Sequence, residues 1–197
     1  MGGRDKSALP APHGGTLLQR ELGLADELGW EAVVVGLPPG DGPFPVAAAA
    51  GAPQLRDAPA GIGPLGGLGP LLRHAGDRPM IALACDLPYV EAALLRRLAA
   101  QPTGPDVVAP RLGQDWWMPL CARYAPAAVL PALQLTLDAG QRSLQALLRR
   151  LSVAELSLDD AERHSLRDWD TPQDMPEDMR EHMSEPMREP TGGETDE

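Results

Sequence analysis

Apolar residues in this chain come in two spacings. Short runs bounded by Gly, Pro or Asp occupy residues 32–35, 54–56, 80–84, 107–109, 118–124 and 153–158, and their lengths and borders predict β-strands. Between them, segments 17–28, 65–74, 91–100, 127–137 and 143–151 place apolar residues three and four apart, with Arg or acids opposite. That spacing predicts amphipathic helices. Repeated βα units imply an α/β domain, a mainly parallel twisted sheet with helices on both faces. Ligands of such sheets sit beyond the carboxyl ends of the strands, so the residues that follow strands are the candidates for chemistry.

The alternation stops near residue 172, which sets the expected domain at 1–172. Residues 173–197 hold nine Asp or Glu against two Arg and contain no Leu, Ile, Val or aromatic residue. Such a segment cannot bury enough apolar area to offset its ordering entropy, and a disordered acidic tail is expected. Met175, Met179, Met183 and Met187 recur every four residues there, but Pro176 and Pro186 interrupt a helical stripe.

The whole chain of 197 residues carries a net charge of −11, of which the tail supplies −7. This balance argues against an electrostatic grip on nucleic acid or an anionic membrane and favours a small-molecule partner. Apolar runs stay well short of the ~18 residues of a membrane span, and the first residues lack a signal-peptide layout, so the cytoplasm is expected. Cys85 and Cys121 are too few for a disulfide framework and show no zinc spacing. They read as small buried hydrophobes.

Lys6 is the only lysine beside 16 arginines. After Gly2 and Gly3, its compact ammonium suits a phosphate chain held by backbone amides, or it is a solvated terminal charge. Asp86 ends the run Ile81-Ala82-Leu83-Ala84-Cys85 and precedes Leu87-Pro88. A carboxylate where a buried strand emerges suits Mg²⁺, or it caps the following helix. Asp57, after a short strand, suits a ribose or base, or caps a turn.

The glycines of Gly61-Ile62-Gly63-Pro64-Leu65-Gly66-Gly67 permit close backbone approach to a ligand. Arg142-Ser143 opens a helix and offers either an anion site or a surface cap. Asp168 and Asp170, two apart in a segment read as the loop before a last helix, bind metal, orient an acceptor, or cap. Trp116-Trp117 offers either a stacking surface or packing. The four histidines show no ligand spacing.

Taken in order, Met1-Gly2-Gly3-Arg4-Asp5-Lys6, Gly63-Pro64-Leu65-Gly66-Gly67-Leu68, Leu83-Ala84-Cys85-Asp86-Leu87-Pro88, Pro119-Leu120-Cys121-Ala122-Arg123-Tyr124, Gly140-Gln141-Arg142-Ser143-Leu144 and Asp170-Thr171-Pro172-Gln173-Asp174 resemble the molybdenum cofactor guanylyltransferase family over residues 1–175. The resemblance implies a Rossmann-like nucleotidyltransferase that uses GTP and Mg²⁺ to transfer GMP to the phosphate of molybdenum-bound molybdopterin. It implies Gly2, Gly3, Lys6, Asp57 and Asp86 at the nucleotide, with Lys6 and Asp86 catalytic and Asp86 on the metal. Arg142, Ser143, Asp168 and Asp170 are expected at the acceptor. A molybdoenzyme chaperone is the implied delivery partner.

In the family pattern an apolar strand and Leu-Ala-Gly-Gly-x-Ser-x-Arg precede the Met-Gly. The expectation here is an N-terminally incomplete domain that binds GTP poorly. The family usually carries an Asn pair where this chain has Asp168 and Asp170, which keeps cytidylyl transfer, another nucleotidyl transfer, or a catalytically inactive binding relative as alternatives.

Overall fold

The computed structural model describes residues 6–12, 14–36, 44–113, 116–169 and 174. Apart from Asp174, the acidic tail lies outside them. Helix α1 (Leu17–Leu28) begins with a reciprocal cap between Thr16 and Gln19 and ends on Gly29, at φ 67°. A left-handed residue there releases the chain from the helix, and glycine adopts it without strain. Strand β1 (Val34–Val35), helix α2 (Pro45–Ala49) and strand β2 (Gln54–Leu55) follow, and β1 and β2 pair in parallel.

Helix α3 (Pro64–Ala75) leads to β3 (Met80–Leu83), α4 (Ala92–Ala99) and β4 (Val107–Ala109). The short β5 (Arg111–Leu112) and β6 (Trp116–Trp117) form an antiparallel pair before β7 (Cys121–Tyr124). Helices α5 (Pro126–Asp138) and α6 (Leu144–Leu148), strand β8 (Val153–Glu155) and helix α7 (Asp160–Ser165) complete the described fold.

The main sheet has the order β3-β7-β4-β8. Strands β3, β4 and β8 run one way, and β7 is antiparallel to both of its neighbours. The mainly parallel expectation holds for strand direction, with one reversal that the β5–β6 pair introduces before β7. The chain also forms α2, α7 and the β5–β6 pair, which the periodicity did not predict. Asp168 follows α7, the last helix of more than one turn among the described residues, rather than preceding it.

Alternation along the strands sorts the core into two layers. Ala82, Val107, Ala109, Ala122 and Tyr124 pack on one side against Leu68 and Leu72 of α3, Leu133 of α5 and Leu147 of α6. Val108 and Cys121 face the other way, against Leu94, Leu95 and Leu98 of α4. Helices therefore cover both faces.

Arg123 also points to the α4 side, where it is only 7% exposed. Its guanidinium donates to the carbonyl oxygens of Ala99 at 3.1 Å, Gln101, and Pro102 at 2.7 Å. The carbonyls that a helix end leaves unpaired are thereby satisfied by a cation from the sheet.

Candidate active site

Lys6 opens a single 3₁₀ turn, Lys6–Ala8, and the Leu9 amide donates to its carbonyl at 3.1 Å. Leu9 and Ala11 are buried with Leu17 and Trp169, which fixes this segment beside α1. Asp86 stands where the sequence placed it, in the turn after β3. The ladder between β3 and β7 extends one step past the strand, with the Ala84 amide donating to the Leu120 carbonyl at 2.8 Å.

The Trp169 amide donates to the Asp86 carbonyl at 3.0 Å. The Trp169 ring meets Tyr89 edge-on at 5.8 Å, an arrangement that suits the ring quadrupoles. The segment from Lys6 to Ala11 and the turn at Trp169 are thus packed around one strand exit. There the Lys6 ammonium lies 2.9 Å from Asp86 Oδ2, the two side chains being 28% and 22% exposed.

Asp57 follows β2 and lines the same cleft as Lys6 and Asp86, a cavity of about 610 Å³. Its loop is held by a carbonyl that a proline sets free. Pro70 lies inside α3 and cannot donate to the Gly66 carbonyl one turn earlier, and the Ala58 amide takes that oxygen at 2.9 Å. A Cβ on Gly66 would stand 2.5 Å from the Pro59 carbonyl oxygen, and one on Gly67 would stand 2.7 Å from Val35 Cγ1. Gly66 and Gly67 let α3 close against its own loop and β1, and Gly63 and Gly67 also line the cleft, where their backbone can approach a ligand.

Glu21 is a cleft residue that sequence reasoning missed. Leu17, Leu18, Leu22, Ala25 and Leu28 mark the inward stripe of α1, and Glu21 falls on that stripe at helical spacing. An acid among apolar positions was the available signal. Its side chain is 10% exposed, with Oε1 accepting from Arg20 Nη1 at 3.0 Å. The other oxygen, Oε2, is buried without a hydrogen-bond partner. Burial pushes its pKa up to about 7 against the opposing pull of Arg20, with a smaller upward contribution from Asp86.

The remaining expected site residues fall elsewhere. Arg142 and Ser143 are exposed ahead of α6 and are not among the residues that line the cleft. Ser143 makes no side-chain cap there. Gln145, on the first turn of α6, donates to the Trp117 carbonyl at 2.7 Å, which ties this helix to the β5–β6 pair. Trp117 lies under the Arg111 guanidinium at 4.5 Å, and Trp116 is 62% exposed. Asp168 adjoins the Trp169 amide that holds Asp86. Gly2, Gly3 and Asp170 lie outside the described residues.

Among the described residues no group of three or more His, Cys, Asp or Glu is arranged to hold a metal ion. The Asp86 carboxylate, 22% exposed at a strand exit, nevertheless suits a hard cation that takes its remaining ligands from substrate phosphates and water. Nor is any described helix long and apolar enough to cross a membrane.

The comparisons agree with this architecture. The model of the MobA-like NTP transferase domain matches residues 1–156. A probable molybdenum cofactor guanylyltransferase of Opitutus terrae is 34% identical over 87% of this chain and 85% of its own length. A molybdenum cofactor guanylyltransferase of Xanthomonas euvesicatoria pv. vesicatoria is 32% identical over 87% and 84%.

The crystal structure of molybdopterin-guanine dinucleotide biosynthesis protein A from Archaeoglobus fulgidus superposes with a TM-score of 0.71. The two are 25% identical, and 92% of each chain is covered. The 2-C-methyl-D-erythritol 4-phosphate cytidylyltransferase of Thermus thermophilus shares the fold, with a TM-score of 0.61 at 20% identity over 86% of this chain and 89% of its own. A family match over most of the chain, on a fold that gathers an ammonium and two carboxylates at its strand exits, makes this nucleotidyltransferase a member of the MobA-like molybdenum cofactor guanylyltransferases.

Proposed function

We propose that this nucleotidyltransferase moves GMP from GTP to the terminal phosphate of molybdenum-bound molybdopterin. An oxygen of the acceptor phosphate bonds to the α-phosphorus of GTP, the bond from that phosphorus to the β-phosphate oxygen breaks, and pyrophosphate leaves. The acceptor is already an anionic nucleophile, so the chemistry asks for alignment and charge neutralisation more than for a strong base. An ammonium and a metal carboxylate meet that demand. The relatives matched over most of the chain bear the guanylyltransferase name, which favours GTP over the cytidylyl alternative.

In this reading Lys6 holds the phosphates, Asp57 meets the nucleoside and Asp86 holds Mg²⁺. The ion, when bound, withdraws charge from the phosphate oxygens and orients the leaving group. Without nucleotide, Lys6 and Asp86 neutralise each other, and a triphosphate with its cation gives each a new partner. Gly2 and Gly3 belong to the phosphate site, and Arg142, Ser143, Asp168 and Asp170 to the acceptor side. The cytoplasm and a molybdoenzyme chaperone as delivery partner complete the proposal.

The observation that carries it is the Lys6–Asp86 contact at the strand exit, in one cleft with Asp57. Pyrophosphate release from Mg·GTP and Mg·CTP, each with and without molybdenum-loaded molybdopterin, tests it. Release that needs both GTP and acceptor is expected. Release from CTP alone, or from neither nucleotide, refutes it.

A further inference from the structure

The Asp86 carboxylate is carried by the turn between β3 and α4, residues 84–91, and a turn left to itself lets its side chains wander. Three bonds from other parts of the chain fix this one. At its start the Ala84 amide donates to the Leu120 carbonyl at 2.8 Å, and at its end Arg20 of α1 donates to the Val90 carbonyl. Between them the Trp169 amide donates to the carbonyl of Asp86 itself, at 3.0 Å.

An amide steadies a carbonyl only if its own place is fixed, and the Trp169 ring supplies that. It is 1% exposed and buried with Leu9, Ala11 and Leu17. It also meets Tyr89, which lies in the same turn as Asp86, edge-on at 5.8 Å. Trp169 thus grips the turn twice, by its amide at Asp86 and by its ring at Tyr89. The indole nitrogen is buried with no hydrogen-bond partner among the described residues, so the ring acts by shape.

The Lys6 segment has anchors of its own. The Leu17 amide donates to the Leu9 carbonyl at 2.8 Å, and the Ala11 amide to the Gly15 carbonyl at 2.9 Å. Both bonds tie the segment to the start of α1, and neither is made by Trp169. The ammonium and the carboxylate are therefore set by different supports.

From this arrangement we infer that Trp169 is a positioning residue for the cation site, setting the Asp86 carboxylate where a divalent ion on the triphosphate meets it. It acts through Asp86, as groups that orient a ligating carboxylate do, and such groups commonly govern metal affinity by about 10–100-fold. The inference rests on the proposed assignment of Mg²⁺ to Asp86.

Titration calorimetry of the full chain with GTP, once with excess Mg²⁺ and once with EDTA, measures how far the ion tightens binding. Trp169→Ala is expected to lose about tenfold of that gain, with its affinity for GTP in EDTA close to the wild-type value because Lys6 keeps its anchors. Trp169→Phe keeps an edge for Tyr89 and is expected to recover most of the gain.

A full gain in Trp169→Ala overturns the inference. So does an equal loss with and without Mg²⁺, which is what a general loosening of the fold would give. Should Trp169→Ala fail to fold, Tyr89→Leu removes the ring contact alone and is expected to lose part of the gain, and an unchanged gain there overturns the inference. Wild-type protein whose GTP affinity ignores Mg²⁺ refutes the Mg²⁺ assignment and this inference together, whereas a wild-type gain that survives Trp169→Ala refutes the inference alone.

Discussion

Lys6 and Asp86 are 80 residues apart in sequence, and their ammonium and carboxylate meet at 2.9 Å. Both partners are about one-quarter exposed, so solvent still screens the pair and it adds little to stability. Its placement serves a ligand better than it serves the fold. Lys6→Ala and Asp86→Asn should each lower pyrophosphate release by roughly 10²–10³-fold, the range for loss of a group that stabilises transition-state charge. Thermal unfolding should shift only slightly in either variant, and a large loss of stability would assign the pair to structure.

Glu21 gives stability a pH dependence of opposite sign to that of an ordinary surface acid. Its folded pKa of about 7 lies above the reference value of 4.5, so between those values the folded chain holds more protons than the unfolded one. Stability therefore falls as pH rises from about 4.5 to 7 and levels off above that, by about 3 kcal/mol at most. Glu21→Gln keeps an acceptor for Arg20 and should flatten this part of the profile, gaining most above pH 7. Tm measured across that window checks it, and parallel profiles for both proteins would contradict it.

Trp169 is 1% exposed and its amide holds the Asp86 carbonyl. Trp169→Ala should cost about 3–5 kcal/mol, the usual range for emptying an aromatic core site. Trp169→Phe should retain more of the stability because the edge contact with Tyr89 survives. Urea unfolding of the two variants ranks the losses, and equal losses would mean that the ring does not fix this turn.

Removing the guanidinium of Arg123 strands carbonyls at the end of α4. Arg123→Met should cost about 2–3 kcal/mol, the order expected when buried acceptors lose a charged donor. Chemical denaturation measures it, and exchange should quicken first at the carboxyl end of α4. A neutral substitution would show that water replaces the guanidinium without cost.

Much of this arrangement was legible in the residues. The lone lysine and the acid closing a buried run identified the pair that meets, because both signals are local departures from their surroundings. Asp57 was legible for the same reason. The reversal of β7 was not, since an apolar run such as Cys121–Tyr124 reads alike in either direction and only the preceding β5–β6 pair turns it.

Gly67 lines the cleft while Gly66 packs on the Pro59 carbonyl, and sequence cannot distinguish close approach to a ligand from close approach to the chain's own loop. Glu21 was visible as an acid on the apolar stripe of α1. Its meaning depends on the cleft beside it, which is a tertiary feature. Arg142 and Ser143 were read from a helix start, and a helix start alone does not say which cleft it faces.

A double-mutant cycle on GTP-dependent pyrophosphate release, using Lys6→Met, Asp86→Asn and the pair together, tests most directly whether these two residues serve one Mg·triphosphate. If they do, the double variant is little worse than the poorer single variant, because either loss already dismantles the shared site. Losses that multiply independently, or single variants that release pyrophosphate at the wild-type rate, would contradict it.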